Sequence, residues 1–344
     1  MPDIEYKRLW MRVRKSGENS VLKDREMMFD PVAHEIRIGD GVNVFEDLTD
    51  IIHTDLNWYP KPDPLGNLRD AITNGTASTA YPIGTQVVLK YTDPAHSTEY
   101  DLPWDIVSYR KVTTEDNVEH DAAIIQAHYS IPTTPIQFDA YEPSNSDDSN
   151  RQKYGSNRWR DSAIRQWLNS DAEANAGWWT AQTNTDAAPT SPTTWMDWPG
   201  FLKCLPEGFV SRLQPVKVQT ATANADSNVV DTTYDKVWLP SKEELYSVVD
   251  TTNSSVNISG VEGPYWEYWK TRMGTSSPAA DNNSSTNSKR ITYTIENPSS
   301  TSLVWLRSAY RSYSNFVWYL STSGSLYYGN AINTFWAAPA CAIF

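Results

Sequence analysis

Two glutamates beside a run of aromatic residues are the first candidates for chemistry in this sequence. Glu262 and Glu267 flank the run Gly-Pro-Tyr-Trp, and Tyr268 and Trp269 follow directly. Glycoside hydrolases use a pair of carboxylates as acid and base, so this segment is a candidate for a glycan-cleaving site. Aromatic packing in a β-rich core explains the same residues, and we favour that interpretation. A glycan depolymerase stays open as an alternative.

Other catalytic and metal-binding patterns are missing from the sequence. Its two cysteines, Cys204 and Cys341, are isolated, and a free cysteine is more often a small buried side chain than a nucleophile. None of the five histidines has the i, i+4 spacing of a zinc site, and there is no serine-hydrolase elbow or phosphate-binding glycine loop. Asp147 and Asp148 favour a solvated loop over a calcium site. We therefore expect no catalytic residue, no metal and no cofactor.

Composition excludes several classes of partner. The chain has 344 residues, with 29 Lys and Arg against 42 Asp and Glu, which gives a net charge of -13. Such acidity argues against nucleic acid, because phosphate binding needs clustered positive charge. The sequence has no apolar run of about 18 residues, and its first residues lack the apolar segment of a secretory signal peptide. We expect neither membrane insertion nor secretion through a signal peptide.

The elements that would carry a site divide the chain into three parts. Residues 1–52 contain strand-like alternation at 8–14 and 34–38, which predicts a small all-β module. Residues 53–78 contain closely spaced prolines and predict a connector, with a short helix at 68–72. Residues 79–344 predict one large β-rich α+β domain. Its expected early strands are 85–91, 104–109 and 122–128.

Helix signals occur at two places in the large domain. Apolar residues at helical spacing predict a helix over 158–169, with Ser156 or Asn157 as its N-cap. Ser241 and Glu244 form the Ser-x-x-Glu pattern of a capping box before a second helix. Residues 274–290 are rich in Ser, Thr and Asn and predict a long exposed loop.

The last 44 residues differ in kind from the rest of the chain. Residues 301–344 contain no Asp, Glu or Lys, and eleven of them are aromatic. A hairpin is predicted from 316–320 and 325–328, closed by 321–324. Trp305, Leu306, Val317, Trp318 and Leu326 are expected in the core. Both faces of the hairpin carry large rings, at Phe316, Tyr319, Tyr327 and Tyr328, but only one face can be buried, so the other face should be an exposed aromatic patch, typical of an interaction site.

This tail also carries a family resemblance. Residues 305–315, 317–326 and the ending 338–341 (Ala-Pro-Ala-Cys) resemble the variable repeat of target proteins of diversity-generating retroelements. Residues 154–159, 164–169 and 235–241 resemble the C-type-lectin-like domain of the same family. The resemblance covers about residues 79–344, and it implies a variable region at 305–344.

In that family, reverse transcription miscopies adenines, so that asparagine codons of the form AAC become NNC. The positions that match template asparagines all hold residues that an NNC codon can encode. As the resemblance implies, these ligand-binding, variable positions are Tyr313, Asn315, Phe316, Tyr319, Ser321, Ser325, Tyr327, Tyr328, Gly329, Asn330, Ile332, Asn333 and Phe335. Trp336 cannot be encoded by such a codon and is expected to belong to the scaffold.

A second resemblance lies at the other end of the chain. Residues 25–30, 36–41 and 45–48 resemble the short β-module that begins many phage tail-fibre and receptor-binding proteins, although Arg25 stands where a glycine is usual. Together the resemblances imply a tropism-determining tail-fibre protein in the virion. It would be a homotrimer that binds other virion tail proteins through residues 1–52 and a host bacterial surface protein or glycan through its tail.

Three alternatives accompany this expectation besides a fibre-associated glycan depolymerase. The first is a bacterial surface or secreted ligand-binding protein of the same family. The second is a relative of the formylglycine-generating enzymes, which share the fold, although two isolated cysteines speak against it. The third is a calcium-dependent lectin, but the tail has no carboxylate to ligate calcium, so we expect binding that resists chelators.

Overall fold

The computed structural model describes residues 11–13, 27–30, 35–38, 51–53, 64–247, 260–273, 287–290 and 292–344. The chain divides into two compact units, Met1–Pro64 and Leu65–Phe344. The described elements make the protein β-rich, with several short helices, which is an α+β architecture.

The described residues of the first unit form four short strands in one sheet, in the order β1-β2-β3-β4. They are β1 Met11–Val13, β2 Met27–Asp30, β3 Glu35–Ile38 and β4 Ile51–His53. β1 pairs with β2 in parallel, and the other neighbours are antiparallel. β1 and β3 fall in the runs predicted from alternation, whereas the predicted turn at 39–41 lies outside the described residues.

Two helices begin the second unit. They are α1 Pro64–Thr73 and α2 Ala77–Ala80. The helix predicted at 68–72 is confirmed and begins four residues earlier. Pro64 suits the first position of a helix, where no backbone N–H is needed, and Leu65 and Leu68 are buried. α1 lies within the predicted connector 53–78 and α2 begins within it, yet from Leu65 onwards the chain belongs to the second unit.

An antiparallel five-stranded sheet has the order β11-β16-β7-β6-β5. Its strands are β5 Gln86–Thr92, β6 Glu99–Thr113, β7 Glu119–Ala127, β11 Val237–Trp238 and β16 Ala340–Ile343. The three predicted early strands correspond to β5, β6 and β7. In β5 every second residue is buried, as expected of a strand with one face turned to the interior.

A second five-stranded sheet has the order β14-β13-β12-β15-β8 and contains most of the aromatic tail. Its strands are β8 Ile131–Gln137, β12 Val304–Ala309, β13 Phe316–Leu320, β14 Leu326–Asn330 and β15 Thr334–Ala337. β9 Val216–Ala221 and β10 Val230–Asp235 form a separate antiparallel pair. The hairpin predicted at 316–328 is confirmed as β13 and β14, and β14 is the edge strand.

Tryptophans fill the core rather than the surface. Seven of them are fully buried in the described part of the chain: Trp104, Trp159, Trp167, Trp195, Trp238, Trp266 and Trp305. Tail residues predicted for the core are buried as expected, except that Trp318 is half-buried and packs against the core. The high aromatic content therefore supplies mostly rigid interior, and tyrosines provide the exposed rings.

The remaining helices are short. They are α3 Ser149–Tyr154, α4 Ala163–Leu168, α5 Glu207–Val210, α6 Lys242–Tyr246 and α7 Glu267–Met273. The prediction of one continuous helix over 158–169 is wrong, because two separate helical segments occupy this range. A 3₁₀ turn at Trp159–Asp161 comes first, and extended backbone at Ser162 separates it from α4. Ser162, not Ser156 or Asn157, is the N-cap, because its side chain accepts a hydrogen bond from the amide of Arg165 at 3.4 Å.

The second helix signal is confirmed. The Ser241 hydroxyl accepts a hydrogen bond from the amide of Glu244, and the Glu244 carboxylate accepts one from the amide of Ser241, so both halves of the capping box are present at α6. The exposed loop predicted over 274–290 needs a correction at its end. Asn287–Arg290 form a 3₁₀ turn, and Arg290 is fully buried. Its guanidinium donates a hydrogen bond to the carbonyl of Leu245 and lies over the ring of Tyr246. Residues 274–286 lie outside the described part.

Candidate functional site

The hairpin of β13 and β14 forms an aromatic edge. Trp318 pairs with Tyr328, and Tyr319 pairs with Tyr327, directly across the hairpin. Because side chains alternate along a strand, Tyr327 and Tyr328 point to opposite faces. They are 42% and 46% exposed. The sequence predicted one buried face and one exposed face, but an edge strand leaves side chains on both faces accessible, and each face here offers one tyrosine.

On one face lies a cluster that we call the first ring cluster, formed by Tyr310, Tyr313, Phe316, Trp318 and Tyr328. The ring centroids of Tyr310 and Tyr328 are 4.3 Å apart, and those of Phe316 and Tyr328 are 5.2 Å apart. Tyr313 extends the cluster at 5.4 Å from Phe316 and is 50% exposed. Such spacings are those of favourable aromatic pairs, so each exposed ring is held by neighbouring rings.

A cation also contacts the first ring cluster. The ammonium of Lys242 lies 3.8 Å from the centroid of the Trp318 ring. Lys242 is itself buried at the first position of α6. The contact is a cation–π interaction that fixes Trp318 from the side of α6.

The opposite face carries the second ring cluster, which consists of Trp305, Tyr319, Tyr327 and Phe335. Trp305, Tyr319 and Tyr327 lie directly opposite one another across β12, β13 and β14. Phe335 packs 4.4 Å from Trp305 and 4.6 Å from Tyr319 between ring centroids. Burial raises the pKa of Tyr319, and the neighbouring Tyr327 adds to the rise, so the phenol stays neutral.

The buried side chain of Asn157 helps to hold the loop between β12 and β13. The side-chain Nδ2 of Asn157 donates to the backbone carbonyls of Tyr313 at 2.7 Å, Phe316 at 2.9 Å and Tyr310 at 3.3 Å. The backbone N–H of Asn157 donates to Ser314, whose carbonyl lies 2.9 Å away. Asn157 is 0% exposed, so the loop that presents Tyr313 and Phe316 is fixed from inside the protein.

Serines close the other end of the hairpin. The amide of Ser325 donates to the hydroxyl of Ser321 at 3.1 Å, and the hydroxyls of Ser321 and Ser323 lie 2.9 Å apart. The phenol of Tyr246 donates to the carbonyl of Gly324. Gly324 has a φ of +76°, which favours glycine at this turn position. The tip of the hairpin is thereby tied to α6.

The thirteen predicted ligand-binding positions separate into three groups by burial. Exposed are Tyr313, Tyr327 and Tyr328. Half-buried are Phe316, Tyr319, Gly329, Asn330, Ile332, Asn333 and Phe335. Buried are Asn315, Ser321 and Ser325.

The last group departs from the expected display on a surface. Asn315 is 2% exposed, and its side-chain amide donates to the Asn330 side-chain oxygen at 2.6 Å. Ser321 and Ser325 serve the hydrogen bonds of the turn described above. These side chains support the loop and the hairpin tip from inside, so we leave them out of the candidate surface.

Sequence reasoning missed three contributors. Tyr310, Trp318 and Lys242 belong to or contact the first ring cluster, but none was predicted at the site. Trp318 could have been found from the sequence, because it lies two positions after Phe316 in a predicted strand and therefore on the same face. Trp336, predicted as scaffold, is half-buried and donates its indole N–H to the carbonyl of Thr133 at 3.3 Å.

The candidate catalytic glutamates are placed very differently. Glu262 is 5% exposed and accepts hydrogen bonds from the amide of Ala221 at 3.1 Å and from the hydroxyl of Ser308. Burial raises the pKa of Glu262 to about 7. Glu267 is exposed in the first turn of α7. The carboxylate of Glu262 is therefore committed to internal partners rather than presented beside Glu267.

Both cysteines are buried, as expected for inert thiols. Burial raises the pKa of Cys204 and of Cys341, which keeps both thiols protonated. Within the described residues, no group of three or more His, Cys, Asp or Glu side chains is arranged to hold a metal ion. In the same residues no helix is long and apolar enough to cross a membrane.

The β-rich second unit contains the whole of a segment that defines a protein family. Residues 121–344 match the model described as "Domain of unknown function (DUF6273)", and because this is more than half of the chain, the chain belongs to that family. No curated protein and no solved structure matches the chain.

Proposed function

We propose that this chain is a receptor-binding protein of a phage tail fibre, which binds a host bacterial surface protein or glycan through the edge of the hairpin β13–β14. One observation carries the proposal. Tyr327 and Tyr328 are exposed on opposite faces of an edge strand, and each is backed by its own ring cluster. A surface of rigid aromatic rings and small polar residues gives contact area at little cost in ordering entropy.

Further support comes from the way the surface is held. The support of the hairpin is buried: Asn157 fixes the loop, and Tyr246 with the turn serines fixes the tip. Changes at the exposed rings therefore leave the interior contacts in place. In this proposal the second unit is C-type-lectin-like, and the accessible positions of 305–344 are diversified by a retroelement.

The rest of the proposal rests on sequence resemblance. Residues 1–52 would attach the protein to other virion tail proteins and help to form a homotrimer. Several copies on one virion would raise the strength of attachment through multivalency, even where each surface binds weakly. No catalytic step is part of the proposal.

Binding to whole bacteria tests the surface. We would label the full chain with a fluorophore and measure its binding to a panel of bacterial strains by flow cytometry. The double variant Tyr327→Ser and Tyr328→Ser is expected to lose at least about tenfold in binding, because aromatic anchors dominate such interfaces. Tyr141→Ser is the matched control, since Tyr141 is 41% exposed outside both ring clusters and should bind unchanged.

Two results would contradict the proposal. One is a double variant that binds every strain as well as the unmodified chain does. The other is a loss of binding that equals the loss caused by Tyr141→Ser. Diversification has a separate test in the neighbouring DNA, where a reverse transcriptase gene and a near-copy of the 3′ end are expected. That copy should carry asparagine codons at positions such as Tyr327 and Tyr328.

A further inference from the structure

A cavity of about 320 Å³ lies in the second unit and shares no lining residue with either ring cluster. It is formed where β6, β9, β11 and β12 meet residues 260–264. This volume is within the range of small-molecule sites.

Positive charge dominates the lining. Arg110 and Lys111 come from β6, Lys217 from β9 and Arg307 from β12, against one lining carboxylate, Glu262. This concentration of cations stands out in a chain whose net charge is -13. A cleft lined by one sign of charge raises the local concentration of ligands of the opposite sign.

Two arginines of the lining converge on one carboxylate. Arg307 is 2% exposed, and its guanidinium lies 2.6 Å from the carboxylate of Glu244, which also lies 3.2 Å from Arg110. Both guanidinium groups thus contact the carboxylate of Glu244. The charges of three further carboxylates also act on this pair: Glu243, Glu262 and Glu267. Burial lowers the pKa of Arg110, and the charge of Arg307 contributes to the lowering, so a bound anion would stabilise both cations.

Two buried donors in the lining have no acceptor among the described residues. One is Nε of Arg307, and the other is Nε1 of Trp238. A buried donor without a partner costs about 1–3 kcal/mol, and such groups in a native protein call for a ligand or water. Both belong to side chains that line the cavity, which is an observation independent of the charge count.

Glu262, the carboxylate in the lining, opposes an anion less than an ordinary glutamate would. Its two carboxylate oxygens accept hydrogen bonds from the amide of Ala221 and the hydroxyl of Ser308. Burial raises its pKa to about 7, so a fraction of the side chain is neutral near physiological pH.

Part of the wall between the charges is apolar. Val218, Val261 and Pro264 line the cavity together with the Trp238 ring. We propose that this cavity binds a small organic anion, with its carboxylate or phosphate group at Arg110, Lys217 and Arg307 and its carbon skeleton against the apolar wall. The site would act independently of the proposed receptor-binding surface.

Titration of the full chain with three sugar probes tests the proposal. Glucuronate supplies a carboxylate, glucose 6-phosphate supplies a phosphate, and glucose supplies the same skeleton without charge. Isothermal titration calorimetry is expected to give saturable binding with one site per chain for at least one of the two anions, and none for glucose. The anion that binds shows whether the site prefers a carboxylate or a phosphate group.

Charge reversal locates the site. Lys217→Glu is expected to weaken anion binding by about tenfold or more, because it replaces an attractive charge at the mouth with a repulsive one. Lys217 is exposed, so the variant should fold, and circular dichroism checks this. Lys153→Glu is the matched control, since Lys153 is exposed on α3 and does not line the cavity.

Three results would overturn the proposal. The first is no saturation by either anion up to about 20 mM, a range that covers weak ligands. The second is glucose that binds as tightly as the anions, and the third is equal affinity of Lys217→Glu and Lys153→Glu for the anion. Loss of binding to bacteria in Tyr327→Ser and Tyr328→Ser with intact anion binding would show that the two sites are separate. Failure of one proposal therefore leaves the other measurable.

Discussion

Asn157→Asp tests whether one buried amide fixes the aromatic loop. The change keeps the shape of the side chain but replaces its NH₂ group, which donates to the carbonyls of Tyr310, Tyr313 and Phe316, with an oxygen that can only accept. The Oδ1 atom of Asn157 has no donor among the described residues, so the introduced carboxylate would be buried without hydrogen bonds.

The expected loss of stability follows from these contacts. Two short bonds, at 2.7 and 2.9 Å, contribute roughly 1 kcal/mol each, and the buried acceptor-only group adds about 1–3 kcal/mol. We expect Asn157→Asp to lower the free energy of unfolding by about 3–5 kcal/mol. The loss should be greater at pH 8 than at pH 5, because burial favours the protonated form of the introduced acid.

Urea unfolding gives the free energy, and hydrogen exchange gives the local effect. The amide of Tyr310, which donates to the carbonyl of Phe316 at 2.9 Å, should exchange faster in the variant. Asn74→Asp is the control, because Asn74 is exposed after α1 and should change stability by less than about 0.5 kcal/mol. A surface substitution changes the free energy of unfolding by less than about 0.5 kcal/mol. If Asn157→Asp changes it by no more than that, and the amide of Tyr310 stays protected from exchange, Asn157 does not fix the loop.

Three further predictions follow from burial. Burial raises the pKa of Glu262 in the folded protein to about 7, so the unfolded chain loses this proton first as the pH rises. The free energy of unfolding, measured in urea, should therefore fall by up to about 3 kcal/mol between about pH 4.5 and pH 7. A flat profile, or a Glu262→Gln variant with the same slope, would contradict this. Native Cys204 and Cys341 should not react with a thiol reagent within minutes, whereas urea-unfolded protein should show both thiols, and rapid labelling of native protein would contradict their burial. Tyr328→Ser should lower the free energy of unfolding by only about 1 kcal/mol, because the ring is 46% exposed, and a loss above about 3 kcal/mol would make it a core residue.

Local patterns in the sequence predicted the hairpin and the capping box well. Both depend on residues within a few positions of each other: alternation with a Gly-containing turn for β13–β14, and Ser241 with Glu244 for α6. The helix over 158–169 failed because periodicity does not show that Ser162 adopts extended backbone and caps α4. Asn157 was assigned to capping, whereas its partners lie more than 150 positions away, and no local pattern reveals them.

The candidate surface was predicted as a segment but not as an arrangement. The exposed rings Tyr313, Tyr327 and Tyr328 were all named from the sequence. Alternation alone cannot tell that β14 is an edge strand, and that position in the sheet makes both faces accessible. The contact between Lys242 and Trp318 joins elements far apart in the chain, and so do the cations of the cavity, so both required the fold.

Burial limits which positions of the tail can vary without loss of stability. At Tyr327 or Tyr328 a change removes a partly exposed ring, whereas at Ser325 or Asn315 it removes a buried hydrogen-bonding group. Gly329 is intermediate, because an added Cβ would lie 3.0 Å from the Asn333 amide and 3.4 Å from the Tyr319 ring. A diversified version of this surface should therefore accept many residues at the two tyrosines, small ones at Gly329, and serine or close relatives at Ser325. A set of functional variants in which Ser325 and Asn315 vary as freely as Tyr328 would show that the interior contacts do not constrain the surface.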